Sequence, residues 1–302
     1  MNRKEDVFVS AVVYLSDESD NINQFTDKLI EKLAERFKHY EIIIVNDCCM
    51  HQQKFLNDYI NELKDNNITI VDMSLKQGIE AVMRSGIDVA IGDFVYEFDT
   101  LEYDFEKDVI WESYLKAIEG NDIVSVEIIN NSFSRKLFYK LFNKYSKSSY
   151  DIHASVFRLV SRRAINRVLA LNMNCEFRQA VYSACGLKNG IIEYSGTASS
   201  KKSRSIMLAI DSFVLYTDVP KKIGMYSIKL MLFLMTIGLI FGITNIVHPL
   251  NWIGTLMSWI ILVGVADIVA CLVVILSYVR LIYNKSTDGE NYLIEDVRKI
   301  QR

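Results

Sequence analysis

Apolar residues along the first hundred positions follow two alternating rhythms. Phe8–Leu15 is a short, nearly continuous apolar run and predicts a strand. Ile22–Phe37 carries Ile22, Phe25, Leu29, Leu33 and Phe37 at helical spacing. Glu41–Val45 (EIIIV) lacks the alternation of a half-solvated strand and suits a parallel strand covered on both faces. A helix is expected around Gln53–Leu63, a strand at Ile68–Met73, a helix from Gly78 to Ala90 and a strand at Phe94–Phe98. This β-α-β-α order predicts an α/β fold with a mostly parallel sheet flanked by helices. Ligands of such sheets bind beyond the carboxyl ends of the strands, and acids gather there. Asp47 ends the second strand and Asp99 the fourth, with Glu97, Glu102 and Asp104 close by. A single acid at such a place reads as a loop or cap residue, whereas two on one sheet point to a polar ligand or a cation.

The pattern then changes. Charges are dense up to Lys222 and nearly vanish until Arg280. Met225–Val247 and Trp252–Tyr278 are apolar runs, each reaching the roughly 20 residues that a helix needs to cross a bilayer. The link His248-Pro249-Leu250-Asn251 is short and uncharged. Lys221, Lys222 and Lys229 stand at the start of the first run and Arg280 and Lys285 after the second, so the positive-inside rule puts both ends in the cytosol. The expected organisation is a cytosolic domain over 1–205, a juxtamembrane segment over 206–224, a transmembrane hairpin over 225–284 and a cytosolic tail over 285–302. Asp267 lies deep in the second run: either a functional intramembrane acid or a protonated side chain bonded to the neighbouring helix or another subunit. Two lone spans with this acid make a homo-oligomer an expectation.

Ser132–Lys147 places Phe133, Leu137, Phe138, Leu141 and Phe142 on one helical face and Arg135, Lys136, Lys140 and Lys144 around the other. A basic amphipathic helix of this kind suits a membrane interface, and packing on the sheet is the alternative. A net charge of −3 leaves no basic excess for a phosphate backbone, so no nucleic-acid partner is expected. No G-x-G-x-x-G or G-x-x-x-x-G-K-[ST] occurs. The five cysteines form no C-x-x-C pair and read as reduced thiols. His153 has no Ser or Cys partner that would suggest a nucleophilic triad.

Several short stretches, in order, resemble the family 2 glycosyltransferases of GT-A fold that act on polyprenyl phosphates, the group of the dolichol-phosphate mannose synthases and the bacterial undecaprenyl-phosphate glucosyltransferases. VSAVVYLSDESDNI resembles the family's Pro-x-x-Asn-Glu strand end, with Tyr14 at the Pro place, Asp17 at the Asn and Glu18 at the Glu. IIIVNDCC resembles its Asp-Asp-Gly-Ser, with Asn46 for the first Asp and Asp47 for the second. Gln77, Gly78, Ala81, Gly86, Ala90, Gly92 and Asp93 fall at or near the places of its Asn-x-Gly, Ala, Gly and Ala-x-Gly-Asp pattern. The Asp-x-Asp metal motif reads Asp99-Thr100-Leu101, so its second Asp is a leucine. HASVFRLVSRRAINRV matches a Phe-Arg-Leu-x-Ser-Arg-Arg stretch at Arg158, Ser161, Arg162 and Arg163, and the Ser-Lys segment before two spans is similar too.

The resemblance implies a GT-A-like domain that moves a sugar from a nucleotide sugar to a polyprenyl phosphate at the cytosolic face of a bacterial plasma membrane, for cell-envelope glycan modification. It implies catalytic roles for Asp99 and Arg158, the latter facing the lipid phosphate or the diphosphate, with a structural pair to an acid of the sheet as the alternative, and substrate contacts from Glu18, Asp47, Gln77 and Gly78. Lys201, Lys202 and Arg204, ahead of the first span, would attract the lipid phosphate or anionic headgroups, with a solvated charge run as the alternative. A Mg²⁺ or Mn²⁺ ion would be held by Asp99 with Glu102; such a hard cation needs only one or two carboxylates beside phosphate oxygens and waters. The degraded positions Tyr14, Asn46 and Leu101 leave open a binding or regulatory protein without catalysis.

Overall fold

The computed structural model describes residues 4–16, 22–49, 67–101, 103–105, 108–129, 133–146, 148–170, 177–195, 214, 216–247, 253–287 and 292–299. Contacts divide the chain into two units. One comprises Met1–Asn143, Ser148–Arg204 and Glu290–Arg302, the other Lys144–Lys147 and Ser205–Gly289.

The first unit is built on an eight-stranded sheet. Its strands are β1 (Glu5–Leu15), β2 (Phe37–Asn46), β3 (Ile68–Met73), β4 (Phe94–Phe98), β5 (Ile123–Ile128), β6 (Ser155–Ser161), β7 (Asn189–Tyr194) and β8 (Ile294–Lys299). The helices are α1 (Ile22–Arg36), α2 (Ile79–Val89), α3 (Val109–Ile118), α4 (Phe133–Tyr145), α5 (Arg162–Ala170) and α6 (Arg178–Ala184). The spatial order is β7-β5-β6-β4-β1-β2-β3-β8. The contiguous block β4-β1-β2-β3 is parallel, as is β5 with β7. β6 runs antiparallel to β4 and β5, and β8 antiparallel to β3. The result is a GT-A-like, mostly parallel mixed sheet flanked by helices.

The four strands expected in the first hundred residues are present, as are the helices at Ile22 and Gly78; the helix expected at Gln53–Leu63 lies outside the described residues. Alternate side chains of β1 face opposite layers. Val9, Ala11, Val13 and Leu15 join the core formed with Phe25, Leu29 and Leu33 of α1 and Tyr114 of α3. Val12 faces α2. There a Cβ on Gly86 would lie 2.5 Å from both Val12 Cγ1 and Val45 Cγ2, so a side chain would push the helix off the sheet. A Cβ on Gly92 would lie 2.6 Å from the backbone nitrogen of Ser10 and 2.9 Å from the carbonyl carbon of Val9. Backbone cannot yield as a flexible side chain does, so this glycine is dictated by close chain approach. Two matches of the resemblance thus have packing causes.

Helix α4 divides its apolar face. Phe142 is buried against Phe177, with ring centroids 6.0 Å apart, while Phe133, Leu137 and Leu141 are exposed. The strand β8 was not foreseen: it lies in the stretch expected as a tail.

The second unit contains α7 (Val219–Val247) and α8 (Ile253–Thr287), two helices long and apolar enough to cross a membrane. The first begins at Val219, ahead of the expected Met225; Pro220 is tolerated because backbone N–H groups in a first turn have no helical partner. The Ser227 hydroxyl donates to Asp267 Oδ2 at 2.6 Å, and Cys271 Sγ lies 3.0 Å from the same hydroxyl. Asp267 is thus bonded to the neighbouring helix.

Candidate active site

The switch in strand order falls between β1 and β4, the position at which open α/β sheets bind ligands. Register fixes what stands there. Glu97 on β4 is directly opposite Arg158 on β6. Arg158 Nε and Nη2 each donate to Glu97 Oε2 at 3.2 Å, Nη1 donates to Ser155 Oγ at 3.1 Å, and Nη2 reaches Asp99 Oδ2 at 2.7 Å. Arg178, the first residue of α6, closes the cluster from the helical layer. Its Nε donates to Glu80 Oε2 at 2.7 Å, Nη1 to Glu97 Oε2 at 3.1 Å and Nη2 to Asp99 Oδ1 at 2.5 Å. The Tyr182 hydroxyl donates to the other Glu97 oxygen.

Both arginines and Glu97 are almost fully buried, and Asp99 keeps 11% of its side chain exposed, the cluster's contact with solvent. Burial acts to lower the pKa of both arginines. The adjoining carboxylates, Asp99 foremost, overcome it and hold both above the ordinary arginine range. Burial first and then Glu97 push the Tyr182 phenol well up, so it stays a donor. Three acids against two arginines leave one formal negative charge at the strand ends.

A second corner forms at the ends of β2 and β3. Asp47 is fully buried. Its Oδ1 accepts the Gln77 N–H at 2.8 Å, and its Oδ2 accepts the Gly78 N–H at 3.2 Å and the Tyr14 hydroxyl at 2.8 Å. Gly78 itself sits at φ 84°, a left-handed conformation that favours glycine. Cys48 follows Asp47 at φ 57°, where the resembled motif has a glycine. Asn46 Nδ2 donates to Asp72 Oδ1 at 2.8 Å, a bond that an aspartate at 46 would turn into a repulsion between carboxylates. The Gln77 side chain points away from this corner to the backbone of Leu293.

No family model matches the chain. Curated relatives do, over nearly the full length. An uncharacterised glycosyltransferase of Synechocystis is 25% identical, covering 96% of this chain and 95% of its own. A bactoprenol glucosyl transferase of Shigella phage SfV is 23% identical, covering 96% of this chain and 99% of its own. The chain is a relative of the glycosyltransferases. A solved mannosyltransferase of Pyrobaculum calidifontis, in complex with GDP-Man and Mn²⁺, is similar at 11% identity and a TM-score of 0.47, covering 95% of this chain and 81% of that one.

The Mg²⁺ or Mn²⁺ ion that the resemblance implies finds one of its two expected ligands, Asp99, among the described residues. Both Asp99 oxygens accept from guanidinium groups. Leu101, at the place of the second Asp, packs against the hydrophobic core and offers no donor. Glu102 lies outside the described residues, and among the described residues no group of three His, Cys, Asp or Glu side chains is arranged for a metal. What the cluster exposes in that place is the edge of the Asp99 carboxylate.

Asp99 and Arg158, drawn from distant stretches, are therefore brought together, and Asp47, Gln77 and Gly78 form one corner of the same strand-end surface. Glu18, Lys201, Lys202 and Arg204 lie outside the described residues. Arg178 and Glu80 escaped the sequence reading. One signal was available: a cation in the first turn of a helix opposes the macrodipole and needs anions elsewhere to hold it. Glu127 stands apart, opposite Glu193 in the β5–β7 register, with His153 Nδ1 3.6 Å from its carboxylate. Burial, and then Glu193, raise its pKa to about 7.

Proposed function

We propose that this enzyme moves a sugar from a nucleotide diphosphate sugar to a polyprenyl phosphate at the cytosolic face of a bacterial plasma membrane, in cell-envelope glycan modification. The observation that carries the reading is the extent of the likeness. The phage bactoprenol glucosyl transferase is matched over 99% of its length, so the match takes in the hairpin as well as the α/β unit. A lipid-borne acceptor gives that hairpin a purpose. The chain enters the hairpin from the α/β unit and re-enters that unit after it, a connectivity that agrees with an even number of membrane crossings.

The chemistry makes modest demands. A lipid phosphate is already an anion near neutral pH, so a strong protein base is less necessary than for a sugar hydroxyl. The protein must orient the two substrates in line and stabilise charge on the departing diphosphate. In this reading the corner of Asp47, Gln77 and Gly78 shapes the nucleotide end of the donor pocket. Arg158 and Arg178 hold Asp99, the cluster's exposed member, in place beside the diphosphate. Glu18 belongs to the nucleotide end, and Lys201, Lys202 and Arg204 attract the acceptor phosphate, as the resemblance implies.

The test is incubation of membranes containing the enzyme with labelled nucleotide sugars and undecaprenyl phosphate. Label in the lipid fraction, lost in Asp99→Asn, is the expected result. No lipid-linked label from any common donor, under conditions where a homologue works, refutes the reading. A second reading has two observations in its favour: both Asp99 oxygens are engaged by arginines, and Leu101 packs, partly buried, against the core. It describes a GT-A-like membrane protein that binds or regulates a partner without turnover. Tight binding of a nucleoside diphosphate together with lipid labelling counts against it.

A further inference from the structure

Strand β8 sits at the sheet edge and buries little: Leu293 before it and Val297 within it are 49% and 46% exposed. What it contributes is concentrated at one corner. The Leu293 N–H donates to Gln77 Oε1 and the Leu293 carbonyl accepts from Gln77 Nε2, each at 2.8 Å. The same carbonyl accepts the Ser74 N–H at 3.2 Å. The Tyr292 hydroxyl donates to Asp88 Oδ2 at 2.8 Å. Arg298 Nε donates to Asp72 Oδ2 at 2.8 Å, and the other oxygen of that carboxylate takes the Asn46 amide. Asn46 Oδ1 in turn accepts the Cys49 N–H at 3.0 Å, fixing the turn that follows Asp47.

Two paths therefore run from β8 into the corner. Leu293 holds the side chain of Gln77, whose backbone N–H binds Asp47. Arg298 holds Asp72, which holds Asn46, which holds the loop of Cys48 and Cys49. Both end at the strand ends where the proposed reading places the nucleotide. Between β7 and β8 the chain passes through the whole hairpin.

We infer that β8 and its lead-in are a positioning element for the donor site, so that the nucleotide corner is completed only by chain that has returned from the hairpin. Arg298, Leu293 and Gln77 act through Asp72, Asn46 and Asp47 rather than on the reacting atoms. The inference rests on the donor reading and names which residues set its affinity. It also changes the role of Gln77: its side chain is a clasp, and its backbone is what faces Asp47.

The experiment uses the full chain in detergent and titrates UDP and, separately, GDP by calorimetry. The variants are Arg298→Gln, Gln77→Ala, the milder Tyr292→Phe and the conservative Arg298→Lys. Arg298→Gln and Gln77→Ala are expected to weaken nucleotide binding about five- to tenfold, the range of a modest coupling between sites. Arg298→Lys recovers most of the loss, and Tyr292→Phe lies between. In turnover, the donor KM rises while kcat at saturating donor and the acceptor KM hold. Variants that bind nucleotide like the parent, with only the melting temperature lowered, overturn the inference and leave the donor reading intact. A parent chain that binds neither nucleotide overturns the donor reading, and the inference with it.

Discussion

Replacing Arg178 by alanine tests whether the buried cluster holds the candidate site together. In the folded protein its guanidinium bonds Glu80, Glu97 and Asp99, and its side chain is 3% exposed. Removing it leaves those three acids with Arg158 alone, so the local formal charge goes from one negative to two in a place water barely reaches. Breaking a buried ion pair by deleting one partner costs about 3–5 kcal/mol. In a unit of this size about 1 kcal/mol moves the melting temperature by about 2–4 °C, so a drop of about 6–20 °C is expected. The assay is thermal unfolding of the full chain in detergent, followed by near-ultraviolet circular dichroism. A cycle with Glu80→Gln sharpens it. Neutralising Glu80 removes a charge that Arg178→Ala leaves uncompensated, so the double variant recovers about 1–3 kcal/mol relative to the sum of the singles. A single variant that melts within about 2 °C of the parent, or strict additivity with Glu80→Gln, refutes the cluster as described.

Other expectations follow from the same structure. The Glu127 carboxyl is raised from its ordinary value of 4.5 to about 7 by burial and Glu193, so the folded state binds its proton more tightly than the unfolded chain. Its stabilising contribution is full below about pH 4.5 and is lost as pH rises through about 7. Glu127→Gln removes that dependence: the variant melts higher than the parent at pH 8 and close to it at pH 4.5, and an unchanged pH profile refutes the assignment. Gly92→Ala forces a methyl onto the Ser10 backbone and lowers stability by about 1–3 kcal/mol, read by urea unfolding. Leu101→Asp, which restores the Asp-x-Asp spelling, lowers the melting temperature without raising Mn²⁺ affinity in calorimetry, because that side chain packs, partly buried, against the core.

The parallel block of the sheet was legible because buried strands write themselves as unbroken apolar runs: EIIIV in β2 and ITIVDM in β3 leave little room for another reading. The hairpin was legible for the same reason at greater length. β8 was not. Its sequence, IEDVRK, alternates charges with two aliphatic residues, as an exposed edge strand does, and nothing local distinguishes it from a tail. The acids Asp47 and Asp99 both stand at strand ends of the one sheet, as their places in the sequence led one to expect. That Arg158 could pair with an acid of the sheet was foreseeable, but which acid was not, because register, not sequence distance, brings it opposite Glu97. Arg178 arrives from still farther along the chain. Gly86 and Gly92 were noticed as matches to a pattern, yet only the distances to Val12, Val45 and Ser10 give the physical reason for them.

The position of β8 also bears on how the protein is made. Until it pairs, β3 is the edge of a parallel sheet, with a ladder of open N–H and C=O groups that invites pairing with other chains. About 100 residues, the hairpin among them, separate the end of β7 from the start of β8. At ordinary synthesis rates of about 5–20 residues per second, that edge waits about 5–20 s for its cover. The apolar helices emerge during that wait. Synthesis coupled to insertion of the apolar helices would shelter them but not the β3 edge, and arrest before Ile294 would leave that flank of the sheet open and aggregation-prone.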